Sequence, residues 1–171
     1  ENVKIPIVLL DTYIPGAKID CVVINNTEGA RSVTDYLIRK CKAQPGYLHS
    51  SQYLHNVEER QDGFYRAVRQ NGMATSKSIV HHVSPSVDGA YADMMELINN
   101  NEPLASCYFA DNDEIAIGAM RAFKEKGYKY FSLGEAPLSN VGFNTHSHLQ
   151  EKLARLVYNS GNIFYSFDGL R

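Results

Sequence analysis

The sequence predicts an α/β protein with a doubly wound, mostly parallel sheet and helices on both faces. Short apolar runs alternate with stretches of helical period over the first 128 residues, which indicates strands and helices in turn. The runs lack the polar alternation of a strand that faces water on one side. Strands that alternate with helices favour a parallel sheet, and right-handed crossovers between them produce an open sheet with two covered faces.

Five strands and four helices are predicted before residue 129. The strands, of which the first two should be buried, cover residues 5–10, 21–24, 46–48, 78–81 and 106–109. The helices end near residues 40, 71, 98 and 126. Polar side chains can cap three of these helices. The first can be capped by Asn26 or Thr27, the third by Ser86, and the fourth by Asp111 in a capping box with Glu114. Gly72 and Gly127 are placed to end the second and fourth helices.

The pattern is less regular after Tyr128. A strand at 129–133, a loop at 134–137, a helix at 149–158 and a strand at 163–167 are predicted there. We therefore expect one lobe over residues 1–128, and a C-terminal β-loop-α-β segment over 129–171 that packs on the same sheet and completes it.

Composition and charge exclude several classes of function. The formal net charge is −2 and no run of basic residues exists, so this chain alone is not expected to contact nucleic acid. No apolar stretch approaches the roughly 20 residues of a membrane span, and the first residues lack the pattern of a signal peptide. The three widely spaced cysteines are expected to be reduced core residues. We expect a soluble, cytoplasmic protein that contacts no membrane.

The usual sequence motifs of several enzyme classes are missing. The chain contains no GxSxG, Walker A or GxGxxG pattern, so acyl transfer, P-loop chemistry and dinucleotide binding lack their usual machinery. Among the six histidines, His146 and His148 come nearest to a pair of metal ligands, but a metal site needs more than two. We expect a non-enzymatic protein without cofactor, metal site or catalytic residues.

Polar residues that follow the strands are candidates for binding a ligand. In open α/β sheets, ligands bind outside the carboxyl ends of the strands, and Asn25, His49 and Asp111 follow predicted strands here. Such residues also cap helices and make turns, which explains about half of them without a ligand. Arg60 is a sharper candidate, because a guanidinium near a helix start is unfavourable unless an anion or hydroxyl groups offset it. The alternative is a salt bridge between Arg60 and an acidic neighbour, which is Glu58, Glu59 or Asp62.

Three stretches of the chain resemble the periplasmic-binding-protein-like core of LacI/GalR-type transcription regulators. They are IPIVLLD with VVINNTEGA (5–11 and 22–30), ERQDGF (59–64) and FADNDEIAIGAM (109–120). The resemblance, over residues 1–128, implies a sensor that binds a small molecule, often a sugar or sugar phosphate, in a cleft between two α/β lobes. Closure of such a cleft is passed to DNA-binding heads. The head and most of the first lobe have no counterpart among the residues that match.

The resemblance also implies a set of ligand-binding residues. By position, Arg60 would hydrogen-bond ligand hydroxyls or a phosphate, Asn112 would pair with ring hydroxyls, and Asn25 would lie beside the cleft at the crossover. Asp113 and Asn144 complete the set, Asn144 as the end of a VGFN sequence that stands in for the family's Val-Gly-Phe-Asp turn. Family members dimerise through both lobes, so a homodimer and a monomer both stay open for this chain.

The tail resembles a second family. YFSLGEAPLSNVG (130–142), LARLVY (153–158) and FYSFDGLR (164–171) are similar to the C-terminal end of bacterial phosphatidylglycerol lysyltransferases, which move an aminoacyl group from tRNA to a lipid. So short a match implies a structural role without activity. Two alternatives to the sensing module stay open: a fragment of, or fusion with, such a transferase, and a composite chain without retained activity. In the composite, a strand near Phe131 would replace the regulator's next parallel strand.

Overall fold

The computed structural model describes residues 5–128, 131–132 and 164–166, which hold seven strands and four α-helices. The strands are β1 (Val8–Leu10), β2 (Asp20–Val22), β3 (Gly46–Ser50), β4 (Val80–Val83), β5 (Cys107–Ala110), β6 (Phe131–Ser132) and β7 (Phe164–Ser166). The helices are α1 (Asn26–Cys41), α2 (His55–Gln70), α3 (Val87–Asn99) and α4 (Asp113–Glu125). The predicted alternation of strands and helices up to residue 128 is confirmed. The loop at 134–137 and the helix at 149–158 lie outside the described residues.

The larger of two sheets has five strands in the order β4-β3-β5-β7-β6. Strand β3 pairs in parallel with both β4 and β5, whereas β7 pairs antiparallel with β5 and with β6. The α/β class is confirmed, and the two described strands of the tail, β6 and β7, belong to the larger sheet. The expectation that a strand near Phe131 takes the next parallel position is wrong, because β7 occupies the place beside β5 and runs in the opposite direction.

Helices cover both faces of the larger sheet. Helix α1 packs with α2, and α3 packs with α4. Tyr108 and Phe109 are neighbours on β5, so their side chains point to opposite faces and belong to separate apolar cores. The core under α1 and α2 includes Phe64 and Val68, and the core under α3 and α4 includes Phe123.

A glycine lies at the contact of each helix pair. A Cβ on Gly63 of α2 would collide with the Thr27 carbonyl oxygen of α1, and a Cβ on Gly118 of α4 would collide with the Val87 carbonyl oxygen of α3. A side chain at either position would therefore force the two backbones apart.

Strands β1 and β2 form a separate parallel pair, and the prediction that they are buried is wrong for the described residues. Ile5 is 72% exposed and Leu10 is 77% exposed. The four helices of the described chain form two pairs that pack on the larger sheet, so they leave this pair uncovered. Cys21 of β2 is exposed as well, whereas Cys107 is buried and Cys41 is partly buried.

The helix starts use asparagine and serine caps. Asn25 caps α1 rather than Asn26 or Thr27, and Ser86 caps α3 as predicted. Helix α4 is capped by Asn112, so the predicted capping box of Asp111 with Glu114 is wrong. Gly72 and Gly127 follow α2 and α4 with φ of 71° and 80°, which confirms both stop positions. Within the described ranges, no helix combines the length and the apolar character needed to cross a lipid bilayer.

Candidate functional site

The carboxyl ends of β3 and β5 lie side by side, and Asp111, the residue after β5, joins them. Its carboxylate is fully buried. It accepts hydrogen bonds from the Ser50 main-chain N–H at 2.6 Å, from His49 Nδ1 at 2.8 Å and from the Tyr47 hydroxyl. Three donors on one carboxylate offset the cost of burying it. Asp111 therefore fixes the geometry of this sheet edge.

The hydrogen bonds of Asp111 determine the protonation of its partners. Burial, with the neighbouring Asp111 carboxylate, raises the pKa of the Tyr47 phenol well above its ordinary value, so Tyr47 stays protonated and donates. A carboxylate oxygen only accepts, so Nδ1 of His49 carries a proton. His49 Nε2 lies 3.3 Å from Gln61 Nε2, within hydrogen-bond distance of that amide. The His49 ring also contacts the His82 ring edge-on, with centroids 5.1 Å apart.

Arg60 of α2 is bonded to the same edge and is 8% exposed. Its Nη1 donates to the Asp111 main-chain carbonyl at 2.7 Å, and its Nε donates to Asn26 Oδ1 at 3.0 Å. Asn26 in turn donates from Nδ2 to Glu59 Oε2 at 2.9 Å. The salt-bridge alternative is wrong in this structure, because Arg60 reaches Glu59 only through Asn26, and Asp62 pairs with Arg66 at 2.7 Å.

The other predicted ligand residues lie at helix starts. Asn25 Oδ1 accepts from the Glu28 N–H at 3.2 Å, and Asn112 Oδ1 accepts from the Ile115 N–H at 2.8 Å. Asp113 is the first residue of α4, beside its cap. Asn144 lies outside the described residues. The structure thus places Asn112 and Asp113 next to Asp111 at one sheet edge, and Asn25 next to Asn26 at the start of α1.

A cavity of about 260 Å³ lies beside Asn26, where the chain passes from β2 into α1. It is lined by the loop after β1, the crossover and the start of α2, which contribute Asp11, Thr12, Tyr13, Val23, Asn26, Tyr53, Leu54, His55, Asn56 and Glu59. The Tyr13 ring stacks on the His55 ring with centroids 5.1 Å apart. Asp11 has φ of 57°, a left-handed conformation that is uncommon outside glycine and is concentrated at functional sites.

Sequence reasoning missed most of this cavity. Asp11 follows β1, so the rule that ligands bind after strands could have found it. Tyr53 and His55 precede or begin α2, where no pattern in the sequence marks them. The sequence indicates Glu59 only as a salt-bridge partner of Arg60, whereas in the structure it lines the cavity and accepts a hydrogen bond from Asn26.

The chain is similar to known transcription regulators in both sequence and fold. The HTH-type transcriptional regulator GalS of Salmonella typhimurium is 34% identical over 120 residues, which are 70% of this chain and 35% of GalS. A ribose-bound LacI family regulator from Enterococcus faecium superposes with a TM-score of 0.62 at 25% identity, over 71% of this chain and 44% of that one. The chain thus contains a core that is similar to that of LacI-type regulators. This core spans about a third of the length of GalS.

The tail matches the second family. The family described as phosphatidylglycerol lysyltransferase, C-terminal, matches residues 112–171. The phosphatidylglycerol lysyltransferase of Staphylococcus epidermidis is 52% identical over 48 residues, which are 28% of this chain and 6% of the enzyme. Both resemblances read from the sequence are thus confirmed. The family match begins at Asn112, so it overlaps the start of α4 in the LacI-type core.

Proposed function

We propose that the LacI-type core senses a small, sugar-like effector at the boundary between its two sheets. The observation that carries this proposal is the cavity between the loop after β1 and the start of α2, whose lining residue Asn26 is bonded to buried Arg60. The E. faecium relative carries bound ribose, which supports a sugar-sized ligand for this fold. Amide and carboxylate groups pair with adjacent hydroxyls, and aromatic rings offer the apolar surface that binding sites need.

Arg60 is the first of the proposed ligand residues. A guanidinium has five N–H donors, and the bonds of Arg60 to Asn26 and Asp111 engage two of them. Arg60 does not line the cavity, so it would act on the ligand through Asn26, which it holds in the cavity wall. We also propose Asn25, Asn112 and Asp113, which lie at the starts of α1 and α4, and Asn144, which the resemblance alone supports.

We propose binding without catalysis as the activity of this core. Asp111 orients His49 as a carboxylate orients a catalytic base, but the Nε2 atom of His49 faces the Gln61 amide and not a nucleophile. We further propose that this core is part of a longer, cytoplasmic, homodimeric regulator. In that regulator, effector binding would be signalled to a DNA-binding head. That part of the proposal rests on the relatives.

Isothermal titration calorimetry tests the proposed sensing. The chain is titrated with ribose, galactose and their phosphates, and at least one is expected to bind. Arg60→Lys should weaken that binding about tenfold or more, since a lysine cannot reproduce the planar fork of donors. Asn112→Ser should also weaken it while keeping the helix cap. The exposed Arg66→Gln on the same helix is the matched control. The absence of binding heat with all of these ligands, in a chain shown to be folded, would contradict the proposed sensing.

The tail supports a second candidate, an aminoacyl transferase fragment, through its 52% identity to the S. epidermidis enzyme. We propose instead that it contributes structure, because its strands β6 and β7 are part of the larger sheet. Incubation with lysyl-tRNA and phosphatidylglycerol vesicles should yield no lysyl-phosphatidylglycerol. Product formed at a rate proportional to the concentration of the chain would establish the transferase instead.

A further inference from the structure

We propose that the cavity beside Asn26 selects an effector that carries a protonated amine as well as hydroxyls, that is, an amino sugar. The inference rests on the proposed sensing function and narrows its ligand class. It predicts that amino sugars bind more tightly than the corresponding neutral sugars and sugar phosphates.

The charge of the cavity wall is the first argument. Two carboxylates, Asp11 and Glu59, line the cavity, and no lysine or arginine is among its lining residues. Arg60 stands behind the wall, where its Nε is bonded to Asn26. A phosphate would therefore meet two like charges, whereas an ammonium group would meet two opposite charges in a partly desolvated site.

The hydrogen-bonding groups of the wall are the second argument. Asn26 uses Oδ1 for Arg60 and Nδ2 for Glu59, so it holds the Glu59 carboxylate in place. Asn56 Oδ1 is buried and has no hydrogen-bond partner among the described residues. It is an acceptor, and a buried acceptor without a donor is costly. An ammonium group has three donors and can satisfy a carboxylate and an amide oxygen together.

The size and shape of the cavity are the third argument. Its volume of about 260 Å³ lies below the roughly 300–1,000 Å³ of sites for drug-sized ligands, so it suits a single sugar ring. Tyr13 and Tyr53 place two aromatic rings at the wall, and both contact the His55 ring, with centroids 5.1 Å and 6.2 Å from it. Aromatic faces bind the apolar face of a ring and also attract a cation.

Paired titrations at neutral pH test this selectivity. Glucosamine and galactosamine are compared with glucose and galactose and with the 6-phosphates of both sugars. The better amino sugar should bind at least about tenfold more tightly than its neutral parent, as expected for a hydrogen bond to a charged group. Glu59→Gln should remove most of that difference. Glu58→Gln, an exposed neighbour that does not line the cavity, should leave it unchanged.

Asp11→Asn, in the exposed loop after β1, is a second variant that tests the charge without disturbing Asn26. It should reduce the preference for the amine in a chain that keeps its helical circular dichroism. Equal affinity for amino and neutral sugars, or tighter binding of a phosphate, would overturn this inference and leave sugar sensing intact. The absence of heat with all six ligands and with ribose would overturn both.

Discussion

Ser50 and Asp111 are 61 residues apart in the chain, yet the Ser50 main-chain N–H donates to the Asp111 carboxylate at 2.6 Å. The bond connects the carboxyl ends of β3 and β5 at the edge where Asn112 and Asp113 lie. Because the carboxylate is buried and also accepts from His49 and Tyr47, this edge is rigid before any effector binds. A pre-organised edge reduces the entropy that binding must overcome.

Removal of the Asp111 carboxylate should destabilise the fold. Asp111→Ala leaves the donors of Ser50, His49 and Tyr47 without their acceptor in a buried site, so the free energy of unfolding should fall by about 3 kcal/mol. Urea denaturation followed by circular dichroism measures it. Asp113→Ala, two residues along at a partly exposed position, is the control and should cost about 1 kcal/mol or less. If Asp111→Ala lowered the free energy of unfolding no more than the control does, the hydrogen bonds assigned to the Asp111 carboxylate would be contradicted.

Alkaline pH should destabilise the protein through Tyr47. Its pKa is raised in the folded state, so below pH 10 the phenol is protonated in both the folded and the unfolded chain. Above that pH the unfolded phenol ionises while the folded one does not, and stability falls as pH rises. Thermal unfolding at pH values from 8 to about 11 should show the loss. Tyr47→Phe should lower stability at neutral pH but reduce this slope, and an unchanged slope would rule out Tyr47 as its source.

Gly118→Ala should destabilise the α3 and α4 pair. In an ordinary helix interior alanine is more favourable than glycine by about 1 kcal/mol, so stabilisation would be the default result. Here the new methyl group meets the Val87 carbonyl oxygen and the Ala90 side chain, so we expect a loss of about 1–3 kcal/mol. Gly63→Ala should act similarly through Thr27. Stabilisation by either change, measured by urea denaturation, would show that the helices lie farther apart.

The three cysteines should differ in reactivity towards a thiol reagent. Cys21 is exposed and should react first. Burial raises the pKa of the Cys107 thiol, so Cys107 should react only when the chain unfolds. Stopped-flow labelling should show a fast phase of one thiol, which Cys21→Ser removes. Rapid labelling of Cys107 in the native protein would contradict its place in the core.

The helices and the alternation of strands could be predicted because they depend on local patterns. Apolar residues at helical spacing mark α1 to α4, and the glycines after α2 and α4 adopt the left-handed conformation that ends a helix. The predicted first strands were apolar enough for burial, but burial depends on which elements lie nearby. The positions of apolar residues in the sequence do not show which elements will cover a strand.

The candidate site was predicted in part for the same reason. The run Asp111-Asn112-Asp113 offers three side chains that can each cap a helix, and only the buried environment of Asp111 assigns the cap to Asn112. Arg60 was identified from the electrostatics of a helix start, but its partners Asn26 and Asp111 are 34 and 51 residues away. Long-range pairs of this kind leave no periodic signal.

The exposed β1 and β2 pair means that the solubility and the stability of this protein are separate properties. Its apolar side chains face water in the native state, and each strand has a neighbour on one side only within the described residues. Association through this surface needs no unfolding, so its rate would follow protein concentration more than temperature. Substitutions that strengthen the larger sheet would raise the melting temperature without slowing precipitation. A single charged residue in place of Leu10 would slow precipitation without raising the melting temperature.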